Sequence, residues 1–197
     1  MNAIPEAGLR PAMTPAEQAL LAAAVAGRRS GLEFGCGGST GLMLDGGLPR
    51  LLSIDSDRAW LERVAAANAA ALAEGRLRLL HVDLGPTGAW GIPTDPASLP
   101  RWPAYWRDPW EAAGEVDLVL IDGRFRVACA LAGLDRLPPG ALVLVHDFWN
   151  RAAYRAPLLR HFDLAGSAGT LALLSPKPAP DPVSLATDLV AHAFEPG

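Results

Sequence analysis

Residues 32–40 read LEFGCGGST, an apolar stretch that meets a carboxylate at Glu33 and then runs into Gly35, Gly37 and Gly38. Glycines this dense serve a backbone that must take positive φ or come very close to another group. The run therefore reads as a strand, a tight loop and a helix start at Ser39 and Thr40. Cys36 is a small residue inside that loop.

Working outward, the same rhythm repeats. Short apolar runs recur as SGLEF, LLSID, LRLLHVD, VDLVLID and ALVLVHD, each too short for a lone helix, and the last four end in aspartate. Helical stretches lie between them. RAWLERVAAANAAALAEG puts Trp60, Leu61 and Val64 on one face and stops at Gly75, with Ser56 or Asp57 as its N-cap. Upstream, TPAEQALLAAAVAG opens on a capping box, with Thr14 as N-cap, Pro15 in the first turn, Glu17 reaching back and Gly27 at the end. Strands buried on both faces and separated by helices predict a doubly wound α/β fold, a mostly parallel sheet with helices on both faces. FDLAGSAGTLALLSPK adds two strands turning at glycines with no room for a crossover helix, so the seven-stranded sheet should end on an antiparallel strand.

The chain of 197 residues reads as one domain with a long proline-rich insertion at about 84–115, which carries Trp90, Trp102, Tyr105, Trp106 and Trp110. Such aromatics suit either a cover that excludes water from a substrate or a satellite core over the sheet edge. A formal charge of −4 with 19% charged residues gives no surface for nucleic acid or an anionic membrane. Cys36 and Cys129 form neither a disulfide framework nor a metal-ligand spacing. MNAIPEAGLRPAM lacks the pattern of a signal peptide, and no apolar run reaches the roughly 18 residues a membrane span needs. A soluble, cytoplasmic protein acting on a small molecule is the expectation.

Ligands of doubly wound sheets bind beyond the carboxyl ends of the strands, where Glu33, Asp55, Asp83, Asp122 and Asp147 fall. Asp55, about twenty residues past the glycines, is placed to accept two ribose hydroxyls, which makes this a nucleoside site. The dinucleotide fingerprint is the rival, and with it an NAD(P)-dependent oxidoreductase. Gly35 and Gly37 satisfy that fingerprint, but Thr40 stands at its third glycine and Gly41 comes one residue late. A carboxylate at Glu33 also repels a pyrophosphate and suits a cationic ligand.

In these residues, over about 30–175, the sequence resembles the class I S-adenosylmethionine-dependent methyltransferases. The resemblance implies a Rossmann-like methyltransferase fold and S-adenosyl-L-methionine as cofactor. It implies that Glu33, Gly35 and Gly37, with Thr40 in the same set, cradle the methionine part, that Asp55 holds the ribose, and that Asp83 lies near the adenine amino group. Methyl transfer to an oxygen or nitrogen follows, with a non-catalytic cofactor-binding module as the alternative.

Asp122 and Asp147 end the adjacent fourth and fifth strands. In methyltransferases similar to catechol O-methyltransferase, aspartates at these strand ends hold magnesium, so the resemblance makes Asp122 and Asp147 candidate Mg2+ ligands. Here His146 and Phe148 flank Asp147 where those relatives have Asn or an acidic residue. His146 is a candidate general base, its ordinary pKa lying near neutrality. Asp122, His146 and Asp147 are therefore the candidate catalytic set. Two other readings stay open: ion pairs from the carboxylates to Arg124 or Arg126, and an anionic substrate group held by those arginines.

Overall fold

The structure is a computed structural model that describes residues 9–197. The reading of the N-terminus as free of a signal peptide falls partly on residues 1–8, outside the described residues. Seven strands form one sheet: β1 (Gly31–Phe34), β2 (Leu51–Asp55), β3 (Leu77–His81), β4 (Leu118–Ile121), β5 (Leu142–Val145), β6 (Phe162–Ala168) and β7 (Leu171–Pro176), in the order β3-β2-β1-β4-β5-β7-β6. The first five pair in parallel, and β7 runs antiparallel to both β5 and β6. The chain leaves β1 toward β2 on one side and returns to β4 on the other. The switch between β1 and β4 is where such a sheet opens a crevice.

Among the described residues eight α-helices surround the strands: α1 (Pro15–Val25), α2 (Gly38–Asp45), α3 (Arg58–Ala67), α4 (Ala69–Ala73), α5 (Pro103–Ala113), α6 (Arg126–Ala132), α7 (Ala152–His161) and α8 (Pro182–His192). Alternation along each strand sends side chains into two cores. Leu32, Phe34, Ile54, Val119, Ile121, Val143 and Val145 meet Tyr105 and Trp110 of α5, Val127 to Leu131 of α6 and Leu158 of α7. On the other face Leu51, Leu118, Leu120 and Leu144 meet Leu21 and Val25 of α1 and Met43 and Leu44 of α2. The α1 capping box is present as read, with Glu17 closing it on Thr14. Among the described residues, no helix is long and apolar enough to cross a membrane.

Two expectations change. The helix read from residue 58 onward breaks at Asn68, whose side-chain amide donates to the Val64 carbonyl and competes with the helical ladder. The insertion at about 84–115 holds the crossover helix itself, α5, whose prolines at 103 and 109 obscured its period. Its aromatics differ in burial. Tyr105 and Trp110 are fully buried, Trp102 and Trp106 pack partly buried beside them, and Trp90 is 84% exposed.

Trp110 anchors α5. Its Nε1 donates to the Cys129 carbonyl at 3.0 Å, and its ring lies so close to Gly133 that a Cβ there would sit 2.1 Å from it. Trp110→Ala should cost about 3–5 kcal/mol by cavity formation. Urea unfolding measures this, and a midpoint equal to the parent's would place α5 outside the core. Deleting residues 98–108 should likewise abolish the cooperative transition.

Candidate active site

A cleft of about 780 Å³ opens over the carboxyl ends of β1, β2, β4 and β5. That volume suits a nucleoside cofactor with a small second molecule. The glycine loop forms its floor. Gly35 takes φ +85°, and a Cβ there would lie 2.5 Å from the Gly123 nitrogen, so the loops after β1 and β4 meet backbone to backbone. Gly38 presses on Arg10 and Pro11, where a Cβ would stand 2.2 Å from the chain. Trp60 of α3 pins the loop from the side by donating its Nε1 to the Cys36 carbonyl at 2.7 Å.

Of the residues read as cofactor-binding, Gly35, Gly37 and Asp55 line the cleft. Asp55 accepts the Asp57 amide on Oδ1 at 3.0 Å, and the Cys36 thiol lies 4.0 Å from its Oδ2. Burial pushes its pKa up against the amides of Asp57 and Ser56. Asp57 caps α3 by accepting from Trp60 N.

The structure places Glu33, Thr40 and Asp83 differently from the sequence reading. Glu33 is wholly buried beneath the glycine loop and accepts hydrogen bonds at 2.6 Å from each of Ser39 Oγ, Thr40 Oγ1 and Ser53 Oγ. Thr40 is buried with it and accepts the Gly37 amide at 3.0 Å, so its own proton is free for Glu33. Both bond to the loop and the start of α2, and neither lines the cleft. Asp83 lies outside the cleft lining, where it accepts the Gly85 amide at 2.9 Å and pairs with Arg101 at 2.8 Å.

Asp122, His146 and Asp147 do come together. His146 Nδ1 lies 3.0 Å from Asp122 Oδ1 and 3.9 Å from Asp147 Oδ1, while its Nε2 lies 3.7 Å from Glu17 Oε1. Asp147 takes φ +59°, a left-handed turn that aims its carboxylate back toward β4. Burial pulls the His146 pKa down, but the hydrogen bond and charge of Asp122 and the charge of Asp147 outweigh it and leave it raised. Burial raises the Asp147 pKa, but Asn150, Arg126, His146 and Arg151 outweigh it and leave it lowered. Glu17, already bound to Thr14, also takes the Thr170 amide and hydroxyl at 2.7 and 2.8 Å, and against burial these bonds bring its pKa to about 2. An anion thus stands on each side of the imidazole.

The three residues can bring one ligand atom each within 4.8 Å of one another. A guanidinium already serves their charge. Arg126, nearly buried, sets Nη1 3.2 Å from both Asp122 Oδ1 and Asp147 Oδ2, and the same group donates to the His146 carbonyl at 2.6 Å. A divalent cation bridging those oxygens would face that positive group at contact distance. The residues as arranged do not fit magnesium, and of the readings left open for Asp122 and Asp147 the ion pair to Arg126 is the one present.

Sequence reasoning also missed the inner role of Glu17, whose capping-box pattern explained it fully. Trp90 was seen but not its place: it takes φ +61° on a short turn beside Ser56 and Asp57 at the cleft mouth.

No protein-family model and no curated protein matches the chain. Solved structures do. A doubly wound sheet with a reversed final strand and a cleft at its switch point is the architecture of the methyltransferases among them. A methyltransferase-like protein from Silicibacter pomeroyi is 33% identical, over 96% of this chain and 99% of its own, with a TM-score of 0.84. The chain belongs to the class I S-adenosylmethionine-dependent methyltransferase family. The O-methyltransferase TomG from Streptomyces achromogenes, solved with SAM, is 19% identical over 85% of this chain and 82% of its own, with a TM-score of 0.56. A methyltransferase from Podospora anserina, solved with SAH, is 14% identical over 84% and 80%, with a TM-score of 0.61. These two share the fold.

Glu33 makes the loop sensitive to pH. Burial is the larger effect and raises its pKa from 4.5 to about 7, against the three hydroxyls that lower it. The folded state then holds this proton more tightly than the unfolded chain. The stabilisation is complete below pH 4.5 and is lost as the pH rises through about 7. Parent protein should lose on the order of 3 kcal/mol across that window relative to Glu33→Gln, which has no proton to lose. Denaturant melts at pH 4.5 and 7 measure the difference, and parallel pH curves for the two proteins would exclude it.

Proposed function

We propose that the chain transfers a methyl group from S-adenosylmethionine to an oxygen or nitrogen of a small molecule. One observation carries the reading: a carboxylate fit for ribose, Asp55, shares a cleft with a histidine held between Asp122 and Glu17. The Gly35 and Gly37 backbone would receive the methionine part, Asp55 the ribose hydroxyls, and Trp90 would cover the adenine side. The cofactor supplies an electrophilic methyl group and departs as neutral S-adenosylhomocysteine.

The acceptor lone pair forms the new bond to carbon, and the proton that the acceptor loses passes to His146. Asp122 holds the imidazole ring by its Nδ1 and stabilises the imidazolium once it forms. Its raised pKa makes His146 a stronger base, available only once the pH is high enough to free it. Positioning supplies much of the remaining rate, because the acceptor must approach in line with the bond that breaks.

A magnesium-assisted route is disfavoured by Arg126 between the two aspartates, and an NAD(P) reaction by Thr40 at the third glycine position of the dinucleotide fingerprint and by family membership. Calorimetry should show S-adenosylhomocysteine binding in the micromolar range and NAD not binding. Asp55→Ala should weaken the former by about 1.5–3 kcal/mol. Unchanged affinity in that variant would remove Asp55 from the ribose site. With an acceptor found by screening, kcat/KM should rise with pH to a plateau, with its half-point above the ordinary histidine value of 6.5. His146→Gln should lower kcat roughly 10²–10⁴-fold and flatten the profile. Activity lost to chelator and restored by magnesium would replace the base with a metal.

A further inference from the structure

Residues 193–197, which follow α8, build one margin of the cleft. Helix α8 is itself bolted to α7 by Asp188, whose carboxylate accepts from Arg160 Nη1 at 2.8 and 3.0 Å and lies 2.8 Å from Nε2 of the buried His161. A turn in which the Glu195 amide donates to the His192 carbonyl at 3.2 Å then bends the chain off the helix. The segment is bonded near both its ends. The Ala193 carbonyl accepts Trp106 Nε1 of α5 at 2.9 Å, and the Pro196 carbonyl accepts the amide of Phe125 at 3.2 Å, a wholly buried residue held at φ +52° where α6 begins.

Its contacts do not serve the core. Of the five residues only Ala193 is buried, and Phe194 is 49% exposed. They serve the cleft instead. Gly197 lines it, and a side-chain carbon built there would stand 3.2 Å from Arg124 Nη1, 3.5 Å from the Tyr154 oxygen and 3.7 Å from Arg151 Nη1. Arg151 in turn lies 3.5 Å from Asp147, whose other oxygen is 3.9 Å from His146 Nδ1. One arginine and one aspartate therefore separate Gly197 from the imidazole. Asp55 ends β2, on the far side of β1 from β4 and β5. The segment thus bounds the half of the cleft that holds the imidazole, and two backbone anchors fix where that half stops.

We infer that residues 193–197 are the specificity-determining wall of the acceptor end, limiting the methyl acceptor by its length. A molecule presented to His146 must stop short of Gly197, so compact acceptors fit and homologues lengthened away from the reacting atom are excluded. The inference rests on the methyl-transfer reading of the cleft and adds the size class of its substrate.

The test compares the parent with a variant that stops after His192. Two arginine-directed dicarbonyl reagents of different size, methylglyoxal and phenylglyoxal, probe the acceptor end, and peptide mass spectrometry reads the modification of Arg124 with and without S-adenosylhomocysteine. Removing the segment should speed modification by phenylglyoxal at least about tenfold, and by the smaller methylglyoxal much less. S-adenosylhomocysteine affinity should stay within about twofold of the parent's. Unchanged labelling, or equal gains for both reagents as in a merely loosened protein, overturns the wall. Cofactor affinity that falls with the segment also overturns it. Should the shortened chain not fold, Trp106→Phe, which removes the donor to Ala193 and keeps a ring, should show the same preference for phenylglyoxal with a smaller gain, and parent-like labelling there overturns the inference. With an acceptor found by screening, a homologue lengthened by a phenyl group should gain at least about tenfold in kcat/KM on removing the segment, and no gain would overturn the length limit. Failure of S-adenosylhomocysteine to bind the parent sinks the methyl-transfer reading instead, while the labelling without it still decides whether the segment is a wall.

Discussion

The buried carboxylate of Glu33 is the constraint on which the cleft depends. It lies in β1, the middle one of the five parallel strands, and its three hydroxyl donors come from two places: Ser39 and Thr40 from the first turn of α2, Ser53 from β2. One group therefore fixes the helix start, the loop above it and the neighbouring strand relative to one another. Glycine alone would leave residues 35–38 with too much freedom to present a defined surface. The hydroxyl network restores definition from below while leaving the upper side of the loop as bare backbone. Within a low-dielectric interior such a fully satisfied cluster is stiff.

A second polar cluster orders the opposite wall. Arg126 holds Asp122, Asp147 and the His146 carbonyl at once, and the left-handed turn at Asp147 makes that triple contact possible. The imidazole is thereby located by its own backbone and by the carboxylate it touches. Glu17 adds a long-range tie: the residue that caps α1 also bonds Thr170 at the start of β7 and stands beside the imidazole. Helix capping, sheet closure and the electrostatics of the site meet in one side chain.

Much of this was legible in the sequence where local chemistry decides. The capping box at Thr14, the parallel order of strands, the reversed β7 and the place of Asp55 all follow from patterns a few residues long. What was not legible depends on which side of a loop a side chain takes. Glu33 was read as facing a cation, yet its alternation in β1 sends it beneath the loop among hydroxyls. Asp83 carries the right residue type two positions past the end of β3, where the chain has already turned outward. A pairing of Asp122 and Asp147 with Arg124 or Arg126 was open in the sequence, but that the one guanidinium of Arg126 holds both carboxylates, and Arg124 neither, needed the structure. Helix α5 was hidden by its prolines, although Tyr105 and Trp110 mark its buried side.

The contact of Gly35 with Gly123 joins the two halves of the cleft mechanically. With no side chain between them to compress or rotate, a displacement of one loop is passed to the other with little loss. Residues 122–124 and residues 35–38, which line the cleft from its two sides, thus meet along one seam. A side chain added at Gly35 would force both walls apart at once.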